Sequence, residues 1–225
     1  MGIYLNSDDT DFRSAVKYSR IYVDKTELIR YTNSVLFGEQ KYICVSRPRR
    51  FGKSMAANML TAYYSRGCDS RKLFQGLKIA THPDFEKHLN QYNVIHLNMR
   101  DYLTESENMK QLIQFVEDDL LDELQQEFSD LRMPRRKTLV KVLEQAFVQY
   151  KIPFVFIIDE WDCIFRVHKS DAASQKEYLD FLRNLLKDKS YIALAYMTGI
   201  LPIKKYGEHS AINVFYEYSM TDASP

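Results

Sequence analysis

The chain has 225 residues, 31 Lys and Arg against 30 Asp and Glu, a net charge of +1 and 45% hydrophobic residues. Those values fit one globular domain that buries roughly 70% of its unfolded surface, and they exclude a disordered or fibrous chain. Bulk charge gives no case for non-specific nucleic-acid binding, no window approaches the ~18 apolar residues of a membrane span, and the acidic N-terminal stretch is not a secretory signal.

Five segments read as strands in chain order: 41–46 (KYICVS), 93–99 (NVIHLNM), 153–159 (PFVFIID), 191–197 (YIALAYM) and a weaker 213–220 (NVFYEYSM). The third is a continuous apolar run, as expected of a central strand covered on both faces. Helical stripes alternate with them. Met55, Met59, Leu60 and Tyr63 share a face after the first strand. Met109, Leu112, Ile113, Val116, Leu120 and Leu124 precede the third, followed by Leu139, Leu143, Ala146, Phe147 and Tyr150. Tyr178, Leu179, Leu182, Leu185 and Leu186 precede the fourth. These stripes predict core-facing helices. Strands alternating with helices predict an α/β fold with a mainly parallel sheet and right-handed crossovers.

An acidic run over 117–130 and a basic run over 132–141 nearly cancel. They are expected as solvated helix faces joined at Met133-Pro134, the alternative being a nucleic-acid patch at Arg132, Arg135, Arg136 and Lys137. Cys44, Cys68 and Cys163 have no zinc-ligand spacing and read as reduced thiols of a cytoplasmic protein. Asn6 stands where a myristoylation signal after Gly2 wants Ser or Thr.

The most informative stretch follows the first strand: Ser46-Arg47-Pro48-Arg49-Arg50-Phe51-Gly52-Lys53-Ser54. Its end matches the phosphate-loop pattern GxxxxGK[ST]. Gly52 lets backbone amides approach phosphate oxygens, Lys53 reaches the β- and γ-phosphates, and Ser54 places its hydroxyl on Mg²⁺. Met55 belongs to the same helix start, whose positive end faces the anion. Arg47 stands where the pattern begins with glycine. Four of the seven residues from Arg47 to Lys53 are cationic, a density that a polyphosphate explains.

The third strand runs into Asp159-Glu160, the Walker B pattern. Asp159 would hold Mg²⁺, and Glu160 would activate a water for in-line attack on the γ-phosphate. The fourth strand leads into Met197-Thr198-Gly199. Thr198 is a candidate γ-phosphate sensor or the start of a strand-exit turn.

With these residues in place, the chain resembles the bacterial AAA-ATPase-like family. The matching pieces are YVDKT (22–26), SRPRRFGKSM (46–55), KLFQGLKI (72–79), VFIIDEWD (155–162), YMTGILPI (196–203) and 204–222. The resemblance implies a three-layer P-loop NTPase fold of the additional-strand, catalytic-Glu class, with ATP and Mg²⁺ as cofactors. It implies that Arg47 is a normal variant of the loop, and that Tyr22, Asp24 and Lys25 lie near the base or ribose. Asp162 is a supporting group or, slightly favoured, a helix cap.

The expectation is one P-loop ATPase domain over 1–225, with 1–40 packing on the nucleotide site and 41–225 as core. Arg50, Arg49, Lys204 or Lys205 would neutralise transition-state charge, unless another subunit of a homo-oligomer supplies the arginine. Proteins of this appearance usually carry a restriction-type nuclease region, and no such pattern occurs within these residues. The expected role is therefore a motor or switch for an effector. The alternatives are a non-hydrolysing nucleotide switch and, less suited to Glu160, a small-molecule kinase; DNA is a candidate partner that net charge does not support.

Overall fold

The computed structural model describes residues 2–203 and 212–220. Strands β1 (Tyr42–Ser46), β2 (Asn93–Asn98), β3 (Phe154–Asp159), β4 (Ile192–Gly199) and β5 (Tyr216–Tyr218) form one sheet. All pairings are parallel, and the order is β2-β3-β4-β1-β5. The five predicted strands are therefore present. The last is shorter than expected, because the Phe215 amide turns back onto the Ile212 carbonyl (3.3 Å) before pairing begins.

Helices cover both faces. On one side lie α1 (Thr10–Tyr18), α2 (Glu27–Val35) and α3 (Lys53–Tyr64), with the short α4 (Arg71–Phe74) and α5 (Phe85–His88). On the other lie α6 (Met99–Glu105), α7 (Met109–Glu127), α8 (Leu139–Tyr150), α9 (Cys163–Val167) and α10 (Ala172–Leu186). Because side chains alternate along a strand, the sheet separates two cores. Val155 and Ile157 of β3 pack toward α3, while Phe154, Phe156 and Ile158 pack toward α7–α10. That double burial is why β3 reads as an unbroken apolar run.

The stretch between α7 and α8 departs from expectation. Arg132, Arg135, Arg136 and Lys137 are exposed in a connecting loop rather than on a helix face. Pro134 and the absence of an apolar stripe there leave no helix to carry them.

Residues 2–7 run along the outer edge of β2. The Asn6 amide donates to Val94 O (2.7 Å) and the His96 amide to Tyr4 O (2.9 Å). The Glu123 carboxylate of α7 accepts the amides of Ile3 (2.6 Å) and Leu5 (2.6 Å). This closes an edge that would otherwise present unpaired backbone groups. No helix among the described residues is long and apolar enough to cross a membrane.

Candidate functional site

The parallel sheet sends the ends of β1, β3 and β4 to one rim, and the chemistry predicted from the sequence gathers there. β4 lies between the other two, with Ser46 in register with Gly199 and Ile158 with Met197. Thus Thr198 sits between the strand that enters the phosphate loop and the strand that ends in acid.

The loop over 47–52 leads into α3. Gly52 is left-handed (φ +77°), and a Cβ there would stand 2.9 Å from Lys25 Nζ. The left-handed backbone favours glycine here, and a Cβ would also displace the flexible end of Lys25. Arg50 is also left-handed (φ +71°), at a cost of about 1–2 kcal/mol that the surrounding loop must offset. The first intrahelical bond runs from the Ala56 amide to Gly52 O (2.9 Å). The earlier amides of Lys53, Ser54 and Met55 therefore head the helix without intrahelical partners, as an anion site needs.

Lys53 is 8% exposed and donates to Pro48 O (3.1 Å), across the mouth of its own loop. Ser54, Pro48, Arg49, Arg50 and Phe51 are exposed. Arg47 is half-buried; its amide donates to Gly199 O (3.1 Å), and its Nη1 is buried with no protein partner. A cleft of about 350 Å³ beside the loop is lined by Lys25, Leu28, Arg47, Phe51, Lys53 and Tyr196. Burial pushes the Tyr196 phenol up, the Asp159 carboxylate adds to this, and Arg47 opposes it. The cleft thus combines apolar walls with three cations, Lys25, Arg47 and Lys53, and one carboxylate, Glu27.

The N-terminal segment reaches this cleft through one residue. Lys25 Nζ donates to Phe51 O (2.7 Å). Asp24 faces elsewhere: Oδ1 accepts the Thr26 amide (2.8 Å) and hydroxyl (2.7 Å), and Oδ2 accepts the Lys78 amide (2.8 Å). Burial pushes Asp24 up, but those hydrogen bonds outweigh it and hold the carboxyl below the usual range. Tyr22 packs edge-on against Phe12, and burial raises its phenol to about 12. So Asp24 fixes the strap that presents Lys25, and of the three residues expected near the nucleotide it is Lys25 that touches the loop. Residues 2–7 of the N-terminal segment lie at β2, three places along the sheet from β1.

Asp159 ends β3 and is 4% exposed. Its Oδ1 accepts the Thr198 hydroxyl and the Glu160 amide (2.9 Å). Glu160 is left-handed (φ +54°), so the chain turns sharply between the two carboxylates. Glu160 Oε2 is ion-paired with Arg166 Nη2 of α9.

Asp162 occupies the position before α9 but makes no side-chain cap to it. The helix-cap expectation is therefore corrected. Its Oδ2 accepts the amides of Ile200 (3.1 Å) and Leu201 (2.9 Å), which tie the acidic turn to the exit of β4. Those amides have no strand partner once β4 ends, and a buried carboxylate satisfies them both. Gly199 is the second unforeseen feature. A Cβ there would stand 2.6 Å from Trp161 Nε1 and 2.8 Å from Asp162 Oδ1. Neither its need nor Arg166 was visible in the sequence; the only signal was the spacing of Asp162 and Arg166, four apart on a helix.

Among the described residues no three His, Cys, Asp or Glu side chains gather as a metal cage. Mg²⁺ does not require one, since it keeps several waters and uses one or two carboxylates with substrate phosphates. Asp159 at the strand end and Ser54 in the first turn of α3 are a fitting donor set for that mode. A larger cavity, about 760 Å³, lies beside β2 near Asp8, Asp11, His96 and Glu123. Its carboxylates would repel a polyphosphate. Lys204 and Lys205 lie outside the described residues.

Comparison with known proteins agrees with the resemblance. The family model described as a predicted AAA-ATPase matches residues 9–207, and the chain belongs to that AAA-ATPase-like family. A search of curated proteins returned no match.

Proposed function

We propose that the chain binds Mg²⁺-ATP at the 47–54 loop and hydrolyses it, as a P-loop module of the additional-strand, catalytic-Glu class. The observation that carries this reading is the Asp159–Thr198 pair, held at the rim by a strand inserted between β3 and the loop strand β1. Lys53 and the amides that open α3 would hold the phosphates. Arg47, with an unpartnered buried Nη1, would add a cation to them. Ser54 and Asp159 would hold Mg²⁺, which when bound shields phosphate charge and lowers the cost of water attack. Glu160 would orient and deprotonate that water, with Thr198 reporting the γ-phosphate through Asp159. Arg50 is exposed and suits transition-state charge at this subunit or at a neighbour in an oligomer. The resemblance suggests an effector with a nuclease-like activity, and the free thiols of Cys44, Cys68 and Cys163 suit a cytoplasmic setting.

The test is phosphate release by purified protein. Lys53→Ala should lose nucleotide binding, and Glu160→Gln should bind nucleotide but turn over roughly 10²–10⁴-fold more slowly. Full activity in both variants would refute the reading. One observation favours the alternative, a non-hydrolysing switch: Glu160 is engaged by Arg166 rather than free. Tight ATP binding by the wild-type protein without turnover, with or without DNA, would favour that switch.

A further inference from the structure

We propose that Arg166 is a latch that holds Glu160 in an inactive position and must let go before hydrolysis. The inference rests on the reading of Glu160 as the water-activating group. Three observations lead to it. Glu160 is a left-handed, non-glycine residue at φ +54°, so its side chain leaves the turn in a direction the strand itself would not set. Its carboxylate is then taken by Arg166, and the two side chains are only 19% and 18% exposed. Arg166 belongs to α9, which packs on the face of the sheet opposite α3. The pair therefore draws the carboxylate toward α9, away from the helix that carries Lys53 and Ser54.

The latch is anchored. Arg166 Nε stands 3.2 Å from Asp162 Oδ2, within ion-pair reach though off hydrogen-bond alignment. Asp162 is fully buried, and the same oxygen accepts the amides of Ile200 and Leu201. The residues just after Thr198 thus share a carboxylate with the arginine that restrains Glu160. A small movement at the end of β4 would be felt at Arg166 through one oxygen atom. The Leu201 carbonyl also accepts the Ser46 hydroxyl (3.1 Å), at the start of the phosphate loop. A chain of polar contacts joins the loop to the base, from Ser46 through 200–201 and Asp162 to Arg166, the last link being an ion pair. A Mg²⁺-polyphosphate at the loop would act through this route, by moving the Ile200 and Leu201 amides on the Asp162 oxygen that Arg166 also faces.

The deciding measurement is steady-state phosphate release. Arg166→Gln keeps a polar side chain at this position and removes the charge. It should raise kcat about fivefold, the size expected when an ion pair no longer has to be broken, with KM unchanged. Arg166→Lys should stay near the wild type, and Arg166→Gln combined with Glu160→Gln should be as slow as Glu160→Gln alone. An unchanged or lowered kcat in Arg166→Gln, including no turnover in either protein, overturns the latch. Glu160→Gln with full turnover instead removes the reading beneath it. Should the arginine variants fail to fold, phenylglyoxal labelling of the wild-type protein decides. Arg166 should become more reactive on adding Mg²⁺ and a non-hydrolysable ATP analogue, and unchanged reactivity would overturn the release step.

Discussion

Gly199→Ala probes the packing on which the acidic turn depends. The added methyl would stand 2.6 Å from Trp161 Nε1, 2.8 Å from Trp161 Cδ1 and 2.8 Å from Asp162 Oδ1. Ordinary carbon contacts are about 3.5–4.0 Å, so neighbours must retreat by roughly 1 Å. Trp161 and Asp162 are both fully buried, and neither can swing into solvent. The Trp161 amide also donates to Thr198 O (3.1 Å), so the Trp161 backbone cannot retreat without dragging β4. Overpacking of this kind costs about 1–3 kcal/mol. For a chain of this size each kcal/mol lowers Tm by about 2–4 °C, so the expected drop is roughly 2–12 °C.

Two measurements report on that variant. Calorimetry gives the Tm. Trp161 is the single tryptophan of the chain, so its emission reads the turn directly. Gly199→Ala should shift the emission to longer wavelength and increase quenching by acrylamide. Turnover should fall further than the loss of folded protein explains, because Asp162 and Arg166 move with the indole. A Tm and an emission maximum both unchanged from wild type would refute the packing argument.

Other perturbations test single bonds. Lys25→Met removes the ammonium that donates to Phe51 O (2.7 Å) from an exposed position; stability should stay within about 0.5 kcal/mol while KM for nucleotide rises, which equilibrium unfolding and kinetics check separately. Thr198→Val removes a fully buried hydroxyl from Asp159 and should cost about 1–3 kcal/mol in urea unfolding, with Asp159 left short of a donor. Acidification should also weaken the fold. Burial pushes the His96 imidazole, and likewise that of His88, below its usual value, so the unfolded chain takes up protons first as pH falls through about 6.5. Their contribution is present above that pH and is lost as pH drops toward the folded values. A urea midpoint that is equal or higher at about pH 5.5 than at about pH 7.5 would contradict this.

The strands and the long helices were legible because each carries a strong apolar signature, as in the run that becomes β3. The 47–54 loop and Asp159 stood out because the chemistry proposed for them demands particular residues in order, and the structure brings the ends of their strands to one rim. The N-terminal helices were not. α1 buries only Phe12 among its hydrophobic residues, too little to form a stripe. α2 buries Thr32 and Asn33, which a hydropathy pattern counts as surface. The structure explains their burial through tyrosine hydroxyls of α3. Thr32 Oγ1 bonds the Tyr64 hydroxyl (2.7 Å), and Asn33 Nδ2 donates to the Tyr63 hydroxyl (3.0 Å). A polar interface between two helices is invisible until both partners are known.

The acidic turn shows a different limit. Its two carboxylates were recognisable by type, but their roles follow from backbone geometry that residue types do not encode. At φ +54° Glu160 departs from the direction of β3, and only then does Arg166 come within reach. Asp162 looked like a helix cap because it precedes α9, yet the stronger demand came from the Ile200 and Leu201 amides at the end of β4. A buried carboxylate goes to the donors that would otherwise be left without partners, and those lay 38 and 39 residues away in the chain. The need for Gly199 has the same origin, since the indole and carboxylate it accommodates arrive from the neighbouring strand end. The site is therefore one packed unit, in which the loop, Thr198 and the acidic turn are joined by shared hydrogen bonds. Under the proposed function, coupling between nucleotide occupancy and Glu160 would need no further element than these contacts.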